Sequence, residues 1–265
     1  MREEVLSLLP PDHPWRDKFV FLPEVVSTND EAKRLAEAGA PHGTAVLAGY
    51  QTGGRGRRGR TFQSPPGLGM YLSVILRPGC KGENLMHLTC AMALAVMNGV
   101  KEAAGIMPQI KWINDLVYEN RKLGGILTEV ATQPDGEVAY AIVGIGINCL
   151  QTARDFLPDI REMATSLRIA CNQPISPGVL AANLLITLCK TAEELLTEKR
   201  EIMKAYEKNC ITLGKEVQII RGDTPYCGFA VRLDENGGLV IKNEKGTEET
   251  VNAGEVSVRG LYGYL

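Results

Sequence analysis

The run Ala139-Tyr-Ala-Ile-Val-Gly-Ile-Gly-Ile-Asn148 constrains the fold more than any other stretch of the chain. Side chains of a strand alternate between two faces. Val143, Ile145 and Ile147 therefore share one face, while Gly144, Gly146 and Asn148 share the other. The first face demands a hydrophobic core. The second is bare backbone ending in an amide, and glycine weakens a strand unless something must approach closely. That visitor is a ligand or another part of the backbone, and both readings stay open on this stretch alone.

A second stretch is as unusual. Gly53 to Arg60 reads Gly-Gly-Arg-Gly-Arg-Arg-Gly-Arg. Guanidinium groups so close in sequence repel one another, and glycine gives the backbone no preferred shape. Such a loop is expected to stay mobile until an anion organises it, because arginine forks match carboxylate and phosphate oxygens. A solvated basic turn and an RGG-type nucleic-acid segment are the plainer alternatives. A formal net charge of -2 argues against a wide nucleic-acid surface. Residues 54, 56 and 59 also satisfy G-x-G-x-x-G, but Pro65 and Pro66 replace the helix a dinucleotide site requires, and the nearest downstream acid is Glu83.

At 265 residues and 45% hydrophobic, the chain can bury one large core, or one large and one small. Seven cysteines and three histidines are scattered, with no C-x-x-C. That pattern excludes a recognisable zinc site and fits buried free thiols in a reducing cytosol. No apolar run reaches membrane-spanning length, and the acidic start lacks a secretory core. A cytoplasmic protein is expected.

In chain order, residues 1–17 form a proline-containing lead, and 18–22 and 24–26 look extended. Ser27-Thr28 opens a helix that Gly39 ends, with either hydroxyl able to cap it. Strands are expected at 44–50 and 70–76, a long helix at 84–104, and a strand at 109–113. A hairpin follows, with arms 116–118 and 123–130. Lys122 stands just before Gly124 and Gly125, either as an exposed hairpin lysine or as an amine beside a ligand lying flat on the sheet. A short helix is expected within 155–167 and a long amphipathic one over 177–209. Strands at 215–220, 226–233, 238–242 and 255–259 point to a small all-β barrel.

Together these stretches resemble the catalytic domain of biotin protein ligases over most of residues 24–265. The resemblance rests on Ser27-Thr-Asn29, Gln51 followed by Gly54-Arg-Gly-Arg-Arg-Gly-Arg60, Lys111-Trp-Ile-Asn-Asp115, Arg121-Lys-Leu-Gly-Gly125, Gly144-Ile-Gly-Ile-Asn148 and Gly254-Glu-Val-Ser-Val-Arg259. It implies an α+β fold: a mixed sheet backed by helices, related to class II aminoacyl-tRNA synthetases and lipoate ligases, over residues 1–212. An SH3-like barrel would follow over 213–265. Ile113 stands where the family usually has proline, and the helix-turn-helix domain of repressor-type members is missing, so no DNA binding is expected.

Carried over by position, the resemblance assigns biotin to Ser27, Thr28, Asn29, Gln51, Arg55, Gly56, Arg57 and Lys122. It assigns ATP or the adenylate to Arg58, Arg60, Lys111, Trp112, Asn114, Gly125 and Asn148. Lys122, Arg57 and Asp115 are its catalytic candidates, with Asp115 also the candidate ligand for Mg²⁺. The substrates implied are biotin and ATP. The partner is the biotin carboxyl carrier domain of a carboxylase, with no membrane involved, and the protein is either a monomer or a homodimer paired through its sheet. A lipoate–protein ligase and a non-catalytic RNA-binding module are the rival readings.

Overall fold

The computed structural model describes residues 1–220, 225–252 and 255–258. Its larger sheet contains β1 (Phe19–Leu22), β2 (Ala45–Ala48), β3 (Gly69–Leu76), β4 (Gln109–Lys111), β5 (Asp115–Tyr118), β6 (Arg121–Thr132) and β7 (Val138–Asn148). The strand order is β1-β2-β3-β7-β6-β5-β4. β1 runs parallel to β2 and the other neighbours are antiparallel, so the sheet is mixed.

Helices cover both faces, and the alternation in β7 explains how. Val143, Ile145 and Ile147 join Leu72 and Val74 in a core shared with α3 (Leu88–Ala104) and α5 (Pro177–Glu194). Full burial of each such side chain contributes roughly 1.5–3 kcal/mol. On the opposite face, Ala32 and Ala36 of α2 (Thr28–Glu37) pack on Val46, Ile75, Tyr140 and Ile142. That helix covers only the start of β7. The glycine end of the same face is left to something else.

Helix ends follow local chemistry. Ser176 accepts a hydrogen bond from Gly178 N, and Pro177 sits at the first turn of α5, where its missing N–H costs nothing. Gly105 closes α3 in the left-handed region at φ 70°.

The structure corrects several expectations. The lead contains a helix, α1 (Arg2–Leu8), and Val5, Leu9 and Trp15 are buried in the main core. Arg16 Nη1 donates to Leu6 O and Leu9 O, which α1 leaves without helical donors. The long helix at 84–104 begins only at Leu88, after a 3-10 turn over Gly82–Leu85. The stretch 155–167 is not helical; a 3-10 turn at Ala153–Asp155 and α4 (Leu167–Cys171) flank it. The helix expected over 177–209 is two, α5 and α6 (Lys199–Lys208). At the break, Leu195 O lies 2.8 Å from His87 Nε2 instead of serving a helical N–H.

The second sheet contains β8 (Glu216–Ile220), β9 (Tyr226–Leu233), β10 (Leu239–Lys242), β11 (Glu248–Val251) and β12 (Glu255–Val258). β11 was not foreseen from the sequence. The order β11-β10-β9-β8-β12 leaves β11 and β12 as edges, so among the described residues the sheet is open and not a closed barrel. The β9–β10 turn touches α6 and the turn after β4: Trp112 Nε1 donates to Gly237 O at 2.8 Å and Lys199 Nζ to Asn236 Oδ1 at 2.7 Å.

Candidate active site

Strand register builds the floor of the site. Gly146 pairs with Tyr71 on one side and Gly125 on the other, and Gly125 pairs with Asp115. One row along, Gly144 lies between Ser73 and Leu127. These residues share the face that α2 leaves uncovered. The glycines make room for side chains of this chain: a Cβ on Gly144 would overlap the Asn29 amide, and one on Gly146 would overlap the Phe62 ring. The floor is therefore carpeted by Asn29 and Phe62, and not bare.

The end of the cleft nearest α2 is neutral and buried. Gln51 Oε1 accepts from Thr28 N at 2.8 Å and from Thr28 Oγ1 at 3.1 Å, and Gln51 Nε2 donates to Ser64 Oγ at 3.0 Å. Ser73 Oγ lies 2.8 Å from Thr28 Oγ1 and 2.7 Å from Asn29 Oδ1. Ser27 occupies the N-cap of α2 but makes no side-chain capping bond. Gln51 serves that helix end instead, so simple capping by Ser27 or Thr28 is set aside.

The other end is cationic. The register of β5 and β6 shifts between Leu116 and Val117, where β6 carries one extra residue. Bulges re-aim side chains, and here Lys122 Nζ reaches Asp115 Oδ1 at 2.7 Å. Lys122 is also held by its backbone, with its N–H donating to Met163 O and its carbonyl accepting from Thr165 N. An exposed, unrestrained hairpin lysine does not describe it. Burial pushes the Asp115 carboxyl up, but the nearby charges of Lys122, Lys111 and Arg57 outweigh that and hold it below the ordinary value.

The arginine loop arches over this end as a small hairpin. Gly56 N donates to Arg60 O, Arg60 N to Arg57 O and Phe62 N to Gly54 O. Arg57 Nη1 donates to Asn114 Oδ1 at 2.9 Å, while Asn114 Nδ2 donates to Ile126 O. Arg58 takes a left-handed backbone (φ 58°) and donates to Ile220 O at 3.3 Å. Val256 of the second sheet also lines the cleft.

The cleft thus gathers Ser27, Thr28, Asn29, Gln51, Arg55, Gly56, Arg57, Arg58, Arg60, Lys111, Trp112, Asn114, Asp115, Lys122 and Gly125 from α2, β4, β5, β6 and the loops beside them. These are the sequence candidates with one exception. Asn148 is buried at the end of β7, donating to Thr165 O and accepting from Gln151, and does not line the cleft.

Against this geometry, residues 22–148 match the model of the biotin/lipoate A/B protein ligase family, and residues 212–259 match the biotin protein ligase C-terminal domain. The chain belongs to the biotin protein ligases. Among the relatives of this family, it is 34% identical over 228 residues to the bifunctional ligase/repressor BirA of Bacillus subtilis, covering 86% of this chain and 70% of that one. It is 30% identical to the biotin–[acetyl-CoA-carboxylase] ligase of Paracoccus denitrificans, covering 88% and 98%. The structure of the biotin protein ligase from Aquifex aeolicus in complex with biotin and ATP superposes with a TM-score of 0.77 at 32% identity, covering 91% of this chain and 98% of that one.

Beyond the family motifs, the structure adds Ser73, Glu129 and Phe62 to the site. A fully buried serine inside the apolar run Tyr71-Leu-Ser-Val-Ile75 was a signal in the sequence, since a hydroxyl there needs a partner. Glu129 and Phe62 gave none. As for a resident metal, Asp115 is the only carboxylate lining the cleft among the described residues, and it is committed to Lys122. No described group of three or more His, Cys, Asp or Glu side chains could hold an ion. Among the described residues, a cage of several protein ligands around a metal is therefore not formed in the cleft.

Proposed function

We propose that this chain is a biotin–[acetyl-CoA-carboxylase] ligase that activates biotin with ATP to biotinyl-5′-AMP and transfers the biotinyl group to a lysine of a carboxylase carrier domain. The observation that carries this reading is the polarity of the cleft, with neutral hydrogen-bonding groups at one end and cationic side chains, Arg57, Lys111 and Lys122 among them, at the other. Biotin has the matching polarity, with a ureido ring at one end and a carboxylate at the other. Lipoate shares the carboxylate, but its dithiolane ring offers nothing to Ser27, Thr28, Asn29 or Gln51. A polar pocket filled by an apolar group leaves its own groups unpaired and rejects that ligand.

In the first step, one oxygen of biotin's carboxylate attacks the α-phosphorus of ATP and pyrophosphate leaves. Two anions must meet. At ~4 Å and an effective dielectric of ~20 their repulsion is about 4 kcal/mol, roughly a thousandfold in rate. Lys122, Lys111 and Arg57 offset it, and Asp115 keeps the Lys122 ammonium aimed along the floor. Magnesium enters with ATP as a phosphate-bound, hydrated ion, the manner usual for nucleotide substrates. In the second step the acceptor amine attacks the acyl carbon, AMP departs, and an amide forms. The loop at 53–60 shields the acyl-adenylate from water between the two steps. Residues 1–212 form the catalytic unit, and 213–265 a C-terminal unit that supplies Val256 to the cleft and a carbonyl to Arg58.

The test is direct. Incubation with ATP, biotin and a purified carrier domain should add one biotinyl group to that domain, read by intact mass. An unmodified carrier with no pyrophosphate released would refute the reading.

A further inference from the structure

Glu129 lies on the site face of β6, opposite Ile142 of β7. It belongs to none of the family motifs, yet it touches both ends of the machinery. Its Oε2 accepts from Asn29 Nδ2 at 2.6 Å, next to the ring-end pocket. Both its oxygens also face Arg55 Nη2, at 3.2 and 3.4 Å. Asp30 Oδ1 takes the same Nη2 at 2.6 Å. Two carboxylates therefore surround one guanidinium. Such a place carries excess negative charge and is a poor seat for an anionic ligand. Arg55 acts here as a tether of the loop, and anion binding falls to Arg57, Lys111 and Lys122.

We propose that Glu129 is a positioning residue that ties the arginine loop to the ring-end pocket. Through Asn29 it fixes the amide lying over Gly144, and through Arg55 it sets how firmly the loop covers the adenylate. This rests on the ligase reading. The two contacts can be separated chemically. Glu129→Gln keeps an acceptor oxygen for Asn29 but loses the charge that holds Arg55, whereas Glu129→Ala loses both. Asp30→Asn weakens the tether alone.

The experiment forms labelled biotinyl-adenylate on the full-length enzyme from biotin and ATP with pyrophosphatase present, then follows its release into excess unlabelled biotin. For a partly exposed ion pair, E129Q should release the adenylate about threefold to fivefold faster, with the biotin KM within about twofold of wild type. D30N should show the same split more weakly. E129A should in addition raise the biotin KM about tenfold through the lost Asn29 bond. E129Q should add nothing to R55Q in the double variant, since both act through one contact. A general loss of packing would not give this separation of release rate from KM. Wild-type release rates in both E129Q and D30N would overturn the inference even if E129A fails to fold. A wild-type enzyme that forms no adenylate would instead overturn the ligase reading, and this inference with it.

Discussion

The two ends of the cleft are built on opposite principles. At the ring end, Ser73, Thr28, Asn29 and Gln51 are almost wholly buried, uncharged and bonded to one another. At the reactive end, Lys122 and Arg57 are partly exposed and charged, with Lys122 Nζ on Asp115 and Arg57 Nη1 on Asn114. Buried neutral networks are rigid and punish a missing partner. Charges near solvent tolerate movement and act over distance. One end is suited to choosing a ligand, the other to driving a reaction. Substitutions at the first should therefore change KM, and those at the second kcat.

Lys122→Ala should break the comparison most severely. Loss of the amine should lower biotin-dependent pyrophosphate exchange by about a thousandfold, with biotin binding measured by calorimetry much less affected. Ser73→Ala comes next. It strands buried groups on Thr28 and Asn29, which costs about 1–3 kcal/mol, and should raise the biotin KM roughly tenfold to a hundredfold while kcat is kept. If Ser73→Ala lowered kcat and left KM alone, the division of labour would be wrong.

The same contrast explains what the sequence revealed. The cationic end was legible because arginines, lysines and glycines cluster in short motifs, from Gly53–Arg60 to Arg121–Gly125. The alternation in Ala139–Asn148 gave the correct core face, because strand geometry leaves no other choice. The ring end was half legible. Ser27 and Thr28 read more readily as caps, and it is the bond from Thr28 N to Gln51 Oε1 that speaks against that role. Glu129 meets Asn29 across 100 positions of sequence, a pairing that no local pattern encodes. α1 was missed because seven residues give too little periodicity, and its stability comes from Val5 packing and from Arg16. The break before α6 has no glycine or proline to announce it; it depends on His87, more than a hundred residues earlier.

Acid titration sharpens the electrostatic side. Asp115 has a folded pKa below its ordinary 3.8. Its ionised form therefore contributes stability that is fully present above that ordinary value and is lost as pH falls through the folded one. The Tm advantage of wild type over Asp115→Asn should be constant near neutrality and shrink below about pH 4. An advantage that grew on acidification would contradict the charge assignment. The smallest effect is expected from Arg58→Ala. Its bond to Ile220 O is long and exposed, so the ATP KM should change by less than about threefold.

The central claim is that a neutral buried pocket chooses the ring while a cationic end activates the carboxylate. Exchange of labelled pyrophosphate into ATP, measured side by side with biotin and with lipoate at equal concentration, tests it most directly. The account predicts exchange with biotin and essentially none with lipoate. Equal exchange with both, or exchange with lipoate alone, would contradict it.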